Sequence, residues 1–407
     1  MDALQISGIG KSGNIWERLR APIRAIENYL DLSPAARAEY RRDWRGPARH
    51  DPGIERALEA SLDWLCSAQD NSASRDGGVA SHFSLLTGWG TSYPETTGYI
   101  IPTVLAAAAW RNDEALRQRA RRMVDWLVSI QFADGGFQGG WIGVKRVAPV
   151  SFNTGQIVLG LASAVREFGD KYREPMRKAA DWLVATQDAD GCWRKYPTSF
   201  AEPGEKSYEA QIAWGLLEAA RIEPQTGYAE SALAKVRWAL GLQKDNGWFD
   251  KCCFTPTSAP LTHTLGYALR AVLEAYRFTN DTAFLEPCMK TSDGLLNATR
   301  KDGFVPGRLY SDWRGAVPWA CLTGTAQIAC CWLILYQHTG LARYRDAAFM
   351  ATRYLRRTVR IDGPPGIRGG IKGSFPVNGD YCGFEYVNWA CKFFIDANLL
   401  EKAIRQA

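Results

Sequence analysis

Glu95, Glu209 and His263 are the side chains in this sequence best placed to move a proton, because each opens a strongly apolar stretch: "YPETTGYIIPTVLAAAAW", "KSYEAQIAWGLLEAA" and "PLTHTLGYALRAVLEA". Two glutamates can divide acid and base work in glycoside hydrolysis. His263 precedes Tyr267 by four residues, which puts both on one helical face, and a His–Tyr pair can share the proton transfers of an elimination or epimerisation. Tyr386, in "GFEYVNW", is the fifth catalytic candidate. Each also has a structural reading: a carboxylate at a helix start can cap the first turn, and a histidine can be a satisfied core residue.

Binding candidates cluster at the same helix starts. Tyr93, Asn153, Tyr208, Gln327, Glu385, Asn388 and Lys392 form an unusually polar set for stretches otherwise so apolar. The amides could instead bond one another, and Lys392 would be costly to bury without an anion or a carboxylate such as Glu385. Two further groups come from Gly- and Pro-rich segments: Trp141, and the "GRLYSDWRGAVPW" run with Asp312, Arg314 and Trp319. A guanidinium such as Arg314 grips a substrate carboxylate in bidentate fashion. The tryptophans serve equally as sugar platforms or as loop packing.

The elements that must position these residues follow from a repeat. "DWLVSIQFADGGF" at Asp125 and "DWLVATQDADGCW" at Asp181 are nearly one phrase. Aligned on its tryptophan, the phrase recurs at Trp64, Trp126, Trp182, Trp238, Gly294 and Tyr354, in steps of 62, 56, 56, 56 and 60 residues. Six copies at such a period define an array. Each copy is an amphipathic helix that ends at an Asp/Asn-Gly breaker, and a second, more apolar helix follows it. In these second helices Tyr99, Gln156, Gln211, Tyr267, Gln327 and Lys392 occupy one register position. Links into each first helix are a few residues long, whereas links into each second helix run about 20 to 30 residues, so the long loops gather at one end. The spacing predicts an all-α fold: twelve alternating outer and inner helices closed into a six-hairpin α/α toroid. Inner-helix N-termini would then converge on the long-loop end and favour an anionic ligand.

The runs Gln131 to Phe137, Gln187 to Trp193 and Gln243 to Trp248 resemble the Q-x-x-D-G-x-W motif of the terpenoid cyclase and protein prenyltransferase superfamily. The alternating pattern also resembles the six-hairpin toroids of polysaccharide lyases, unsaturated uronyl hydrolases and sugar epimerases. It is similar, too, to prenyltransferase-like proteins found with bacterial polysaccharide-biosynthesis genes. The acidic Asp cluster that squalene-type cyclases use to protonate an alkene has no counterpart. Its nearest approach, "DADG" at Asp188, belongs to the outer repeat and reads as a helix tie. The Asp-Cys-His zinc set of the prenyltransferases is also incomplete: Asp380 and Cys382 are present, but none of the four histidines stands where that motif needs one. No metal and no cofactor are expected.

Composition bounds the rest. The 407 residues are 46% hydrophobic and 23% charged, which suits a globular chain with a sizeable core. The net charge of +6 and the lack of a basic, aromatic-interleaved block argue against nucleic acid. Ten cysteines without metal or redox spacing read as reduced core thiols. No leader or spanning stretch is evident, so a cytoplasmic protein is expected. Residues 1–50 read as a helical extension and 51–407 as the toroid. The basic stretch 14–45 packs across the torus or contacts a membrane surface or a partner enzyme. Taken together, an enzyme acting on an acidic, uronate-type oligosaccharide or glycoconjugate is expected, by lyase, epimerase or hydrolase chemistry. A terpenoid cyclase-like isomerase and a non-catalytic glycan-binding scaffold are the alternatives.

Overall fold

The computed structural model describes residues 29–255 and 259–406. Helix α1 (Pro34–Asp43) comes first; residues 14–28 of the expected N-terminal helical stretch lie outside the described residues. The outer helices are α2 (Ile54–Asp70), α4 (Glu114–Ser129), α6 (Arg173–Thr186), α8 (Tyr228–Leu240), α10 (Thr282–Ala298) and α12 (Ala342–Thr358). The inner helices are α3 (Pro94–Arg111), α5 (Ser151–Phe168), α7 (Ile212–Ala220), α9 (Thr262–Thr279), α11 (Leu322–Thr339) and α13 (Asn388–Gln406). A 3-10 turn, Ser207–Gln211, stands in for the first turn of α7. Each inner helix packs on its neighbours in sequence and α13 packs on α3, so the toroid closes.

The repeated phrase proves to be the fastening of the outer ring. Its glutamine ties one hairpin to the next: Gln131 Nε2 donates to Gly135 O and to Pro175 O, and Gln187 Nε2 to Gly191 O and to Ser231 O. Its Asp or Asn accepts the backbone N–H two residues on, at Asp134, Asp190 and Asn246 alike, which sets the turn. The aspartate before the tryptophan accepts from a tyrosine at the entry of the following outer helix, Tyr172 to Asp125 and Tyr228 to Asp181. The tryptophan lies on a glycine of the preceding copy. A Cβ on Gly78 would come within 2.5 Å of the Trp126 ring, and one on Gly136 within 2.9 Å of Trp182. Trp64 does the same to the last copy, lying on Gly370 and donating from Nε1 to Gly366 O at 2.9 Å. The first repeat thus fastens onto the sixth. Where the phrase carries Gly294 instead, Trp313 from the next loop fills the space.

Inner helices approach closely through small residues. Gly98, Gly155, Ala210, Gly266, Ala326 and Cys391 each stand one residue before the shared register position. A Cβ on Gly98 would lie 2.6 Å from Ile157 Cα, and one on Gly155 3.0 Å from Ile212 Cα. The strands are short and confined to the long loops: β1 (His82–Ser84), β2 (Gly88–Trp89), β3 (Ala320–Cys321), β4 (Ser374–Phe375) and β5 (Glu385–Val387). Antiparallel β1–β5 pairing joins the first long loop to the last, and β3–β4 joins the fifth to the sixth.

Candidate active site at the toroid mouth

The candidate site is assembled at helix starts. Tyr93 is the N-cap of α3, and its hydroxyl donates to Glu95 Oε2 at 2.7 Å one turn inside. Burial pushes the Glu95 carboxyl up to about 7, only partly opposed by that hydrogen bond. Glu209, in the 3-10 turn before α7, is also raised to about 7 by burial, against the fields of Lys235 and Lys206. In the first turn of α9, His263 Nδ1 lies 2.9 Å from Gln327 Oε1 on α11. Burial lowers its pKa to about 4 against the pull of that bond, so the ring is neutral at pH 7. With Oε1 as acceptor, Nδ1 carries the proton and the Nε2 lone pair is left over.

Aromatic rings join these groups. The His263 ring is 4.5 Å from Tyr267 and 5.5 Å from Tyr381. Phe152 bridges Tyr267 and Tyr208 at 5.3 and 6.0 Å, and Phe393 bridges Tyr267 and Tyr99 at 6.3 and 5.7 Å. Trp389 donates to the Tyr381 hydroxyl and stands edge-on to Tyr93. Phe200 also packs on Tyr93 and stacks at 5.3 Å with Trp141. Phe200 and Trp141 are 44% and 41% exposed, so the aromatic wall reaches solvent there.

Polar atoms without partners mark the same band. Among the described residues, both side-chain polar atoms of Gln156, Oε1 of Gln211, and the hydroxyls of Tyr208 and Thr323 are buried and unbonded, and the buried Asn153 amide has only the Tyr93 hydroxyl near it. Each such group costs about 1–3 kcal/mol. The band thus sets buried amide and hydroxyl groups beside aromatic rings.

The remaining sequence candidates have partners of their own. Asp312 and Arg314 pair with each other at 2.5 Å on an open loop, with the Arg314 side chain 77% exposed, so this guanidinium is outside the ring. Tyr386 is buried on the far face of β5, 5.9 Å from the Lys372 ammonium at the α1 seam, because neighbouring strand residues point to opposite faces. Glu385, on the other face, lies 3.8 Å from His82 Nε2. Asn388 Nδ2 donates to Ala80 O and Thr96 Oγ1, a tie between last and first repeats. Lys392 pairs with Asp396 at 2.5 Å and lies 4.2 Å from the Phe393 ring centroid, so its charge is already matched. Trp319 packs on Gly307 and Gly379 between loops. The "DADG" aspartates are held by Arg194, which keeps Asp190 well below the usual carboxylate range. The aromatic members Phe152, Phe200 and Trp389 escaped the polar-residue reading, whereas Tyr381 stands in the last long loop that the sequence marks as rich in candidates. Phe200 stands in a loop without periodic signal, whereas Phe152 and Trp389 open inner helices, each directly beside a polar candidate, Asn153 and Asn388.

Fold and repeat together define an α/α toroid of six helical hairpins. Residues 89–276 match the family model of the squalene-hopene cyclase C-terminal domain. A probable squalene–hopene cyclase of Sinorhizobium fredii is 28% identical over 163 residues, 37% of this chain and 23% of that protein. The squalene–hopene cyclase of Bradyrhizobium diazoefficiens is 27% identical over 154 residues, 35% of this chain and 21% of the cyclase. The aligned stretch thus spans less than a quarter of either cyclase. Among solved structures, a heparin-specific unsaturated glucuronyl hydrolase superposes with a TM-score of 0.69 at 15% identity, over 88% of this chain and 99% of that one. A sugar epimerase from a ruminal bacterium gives 0.69 at 15% identity, over 87% and 98%. The cellobiose 2-epimerase of Bacillus thermoamylovorans gives 0.67 at 12%, over 86% and 98%. These superpositions establish the toroid. Among the described residues no helix is long and apolar enough to cross a membrane.

Proposed function

We propose that the protein is a glycan-active enzyme that performs acid–base chemistry at the toroid mouth, on an acidic oligosaccharide or glycoconjugate of polysaccharide metabolism. One observation carries this reading: burial pushes the carboxyls of Glu95 and Glu209 up to about 7, on either side of α5, whose Gln156 amide is buried without a partner and whose Asn153 reaches only Tyr93. A carboxyl with that pKa holds a proton at neutral pH and can also give it up, as a general acid or base requires. These buried amides match the hydroxyls of a sugar ring, and the Trp141–Phe200 pair offers an apolar face at the entrance. His263 and Tyr267 would serve elimination or epimerisation, and the two glutamates hydrolysis. The inner-helix N-termini supply a positive field for an acidic sugar. The glycan hydrolase and epimerases that share the toroid support this class by analogy of fold.

The match to the cyclase domain and the aromatic wall favour a second reading, a terpenoid cyclase-like isomerase. Against it, no carboxyl in the band is acidic enough to protonate an alkene: Glu95 is a weak acid, and the acidic Asp190 is locked in a turn. The deciding experiment incubates the protein with unsaturated uronyl disaccharides, cellobiose-type sugars and polyprenyl substrates. Turnover of a sugar, abolished in Glu209→Gln, is expected. Turnover of a polyprenyl substrate alone would overturn the proposal, and oligosaccharide binding without turnover would leave a scaffold.

A further inference from the structure

We propose that the outward face of α1 docks the protein on an anionic lipid bilayer. Residues 29–49 contain five arginines (Arg37, Arg41, Arg42, Arg45 and Arg49) and three acids (Asp31, Glu39 and Asp43). The fold sorts them by side. Glu39 and Asp43 turn inward, where Lys372 lies 3.1 and 2.6 Å from them and Arg360 lies 2.6 Å from Glu39. Asp43 also accepts the Val377 N–H at 2.8 Å. With Glu39 and Asp43 consumed by the seam, the exposed Asp31 is the one acid of the segment left against the arginines, so the outer face is cationic: among the described residues no carboxylate lies within ion-pair distance of Arg41, Arg42, Arg45 or Arg49, all of them exposed.

Apolar side chains stand among these charges. Trp44 is 75% exposed, at the end of a ring series in which Tyr40 lies 6.4 Å from Trp44 and 5.6 Å from Tyr29. Leu30 is 60% exposed, and Leu86 protrudes beside Leu85, whose carbonyl accepts from Ser33 Oγ. A soluble acidic partner would account for the arginines but would leave Trp44 and Leu30 in water. A bilayer interface accommodates both, since indole and phenol rings settle at headgroup level and arginines meet anionic headgroups. Because α1 lies on the long loops of the first and last repeats, docking here would hold the mouth end at the membrane.

The test is sedimentation of the full chain with vesicles of phosphatidylcholine alone and of phosphatidylcholine mixed with phosphatidylglycerol. Binding only to the mixed vesicles is expected, and it should weaken as salt is raised. The triple variant Arg41→Glu/Arg42→Glu/Arg45→Glu should bind about a hundredfold or more weakly. Trp44→Ala should bind about tenfold more weakly, and both variants should keep the wild-type circular dichroism because these side chains are exposed. Absence of binding, or binding that neither variant alters, would overturn the proposal. Equal affinity for soluble polyglutamate with no effect of Trp44→Ala would replace it with a soluble acidic partner.

Discussion

The Glu95 carboxyl sits beside the Tyr93 hydroxyl, with no cation among the groups that move its pKa. Two consequences can be measured. If one of Glu95 and Glu209 must be protonated and the other ionised, activity should follow a bell centred near pH 7, whose limbs belong to the pair. Glu95→Gln and Glu209→Gln should each lower turnover by about a hundredfold or more, and assays of kcat and of Tm should separate this from unfolding. The second consequence is for stability. A carboxyl raised from 4.5 to about 7 makes the native state bind more protons than the unfolded chain, so stability falls as pH rises through that window. The upper bound is roughly 3 kcal/mol for Glu95, and denaturant titrations of Glu95→Gln at pH 5 and pH 8 should show a flatter pH response than wild type. His263 acts oppositely: its pKa is depressed to about 4, so its contribution is present above the unfolded value of 6.5 and is lost as pH falls toward 4. The slope assigned to Glu95 is therefore best read as a difference between variant and wild type.

At the scale of the element, the inner helices depend on small residues and the outer helices on the repeated phrase. Gly155 faces Ile212 so closely that a Cβ would sit 2.8 Å from Ile212 Cγ2. Gly155→Val should therefore cost about 1–3 kcal/mol by overpacking, seen as a lower urea midpoint with unchanged slope. Gln187→Ala removes donors to Gly191 O and Ser231 O together, and loosens α6 from α8. The repeat was legible because these contacts recur at a fixed offset, so one pattern of side chains serves each hairpin in turn. Lys235 breaks that pattern: it occupies a core position where Ala179 stands one copy earlier, with its ammonium 3.2 Å from Cys192 Sγ and 3.9 Å from the Trp238 ring centroid.

For the whole molecule, closure rests on contacts between residues some 300 apart in sequence. Arg356 of α12 reaches Asp51 ahead of α2 at 2.8 Å and Glu401 of α13 at 2.7 Å, with Asn398 accepting from the same guanidinium. Arg356→Met would leave Glu401 buried with only Thr352 and Arg405 to meet it, and Asp51 without its cation. Breaking a buried pair in this way costs about 3–5 kcal/mol. Hydrogen exchange should show the loss concentrated in α2, α3 and α13, where first and last repeats meet. An even loss around all six hairpins would show that closure is not carried by this cluster.

The sequence alone determined the helices, their alternation and the end at which the long loops gather, because caps, apolar periodicity and breakers act within a few residues, and the 56-residue step repeats them. It also brought Glu95, His263, Tyr267 and Gln327 toward one place, since each stands at or near the start of an inner helix, and such starts must converge once the array closes. Tertiary structure alone decided which loop side chains join them. Tyr386 and Glu385 differ by one position on β5, and the pairing of that strand with β1, set by residues 300 positions away, turns one to the α1 seam and the other to His82. Phe200, which no spacing singles out, is folded onto Tyr93, more than 100 residues earlier in the chain. A helix start inherits its direction from the helix, whereas a loop residue takes its direction from distant partners that no local pattern records.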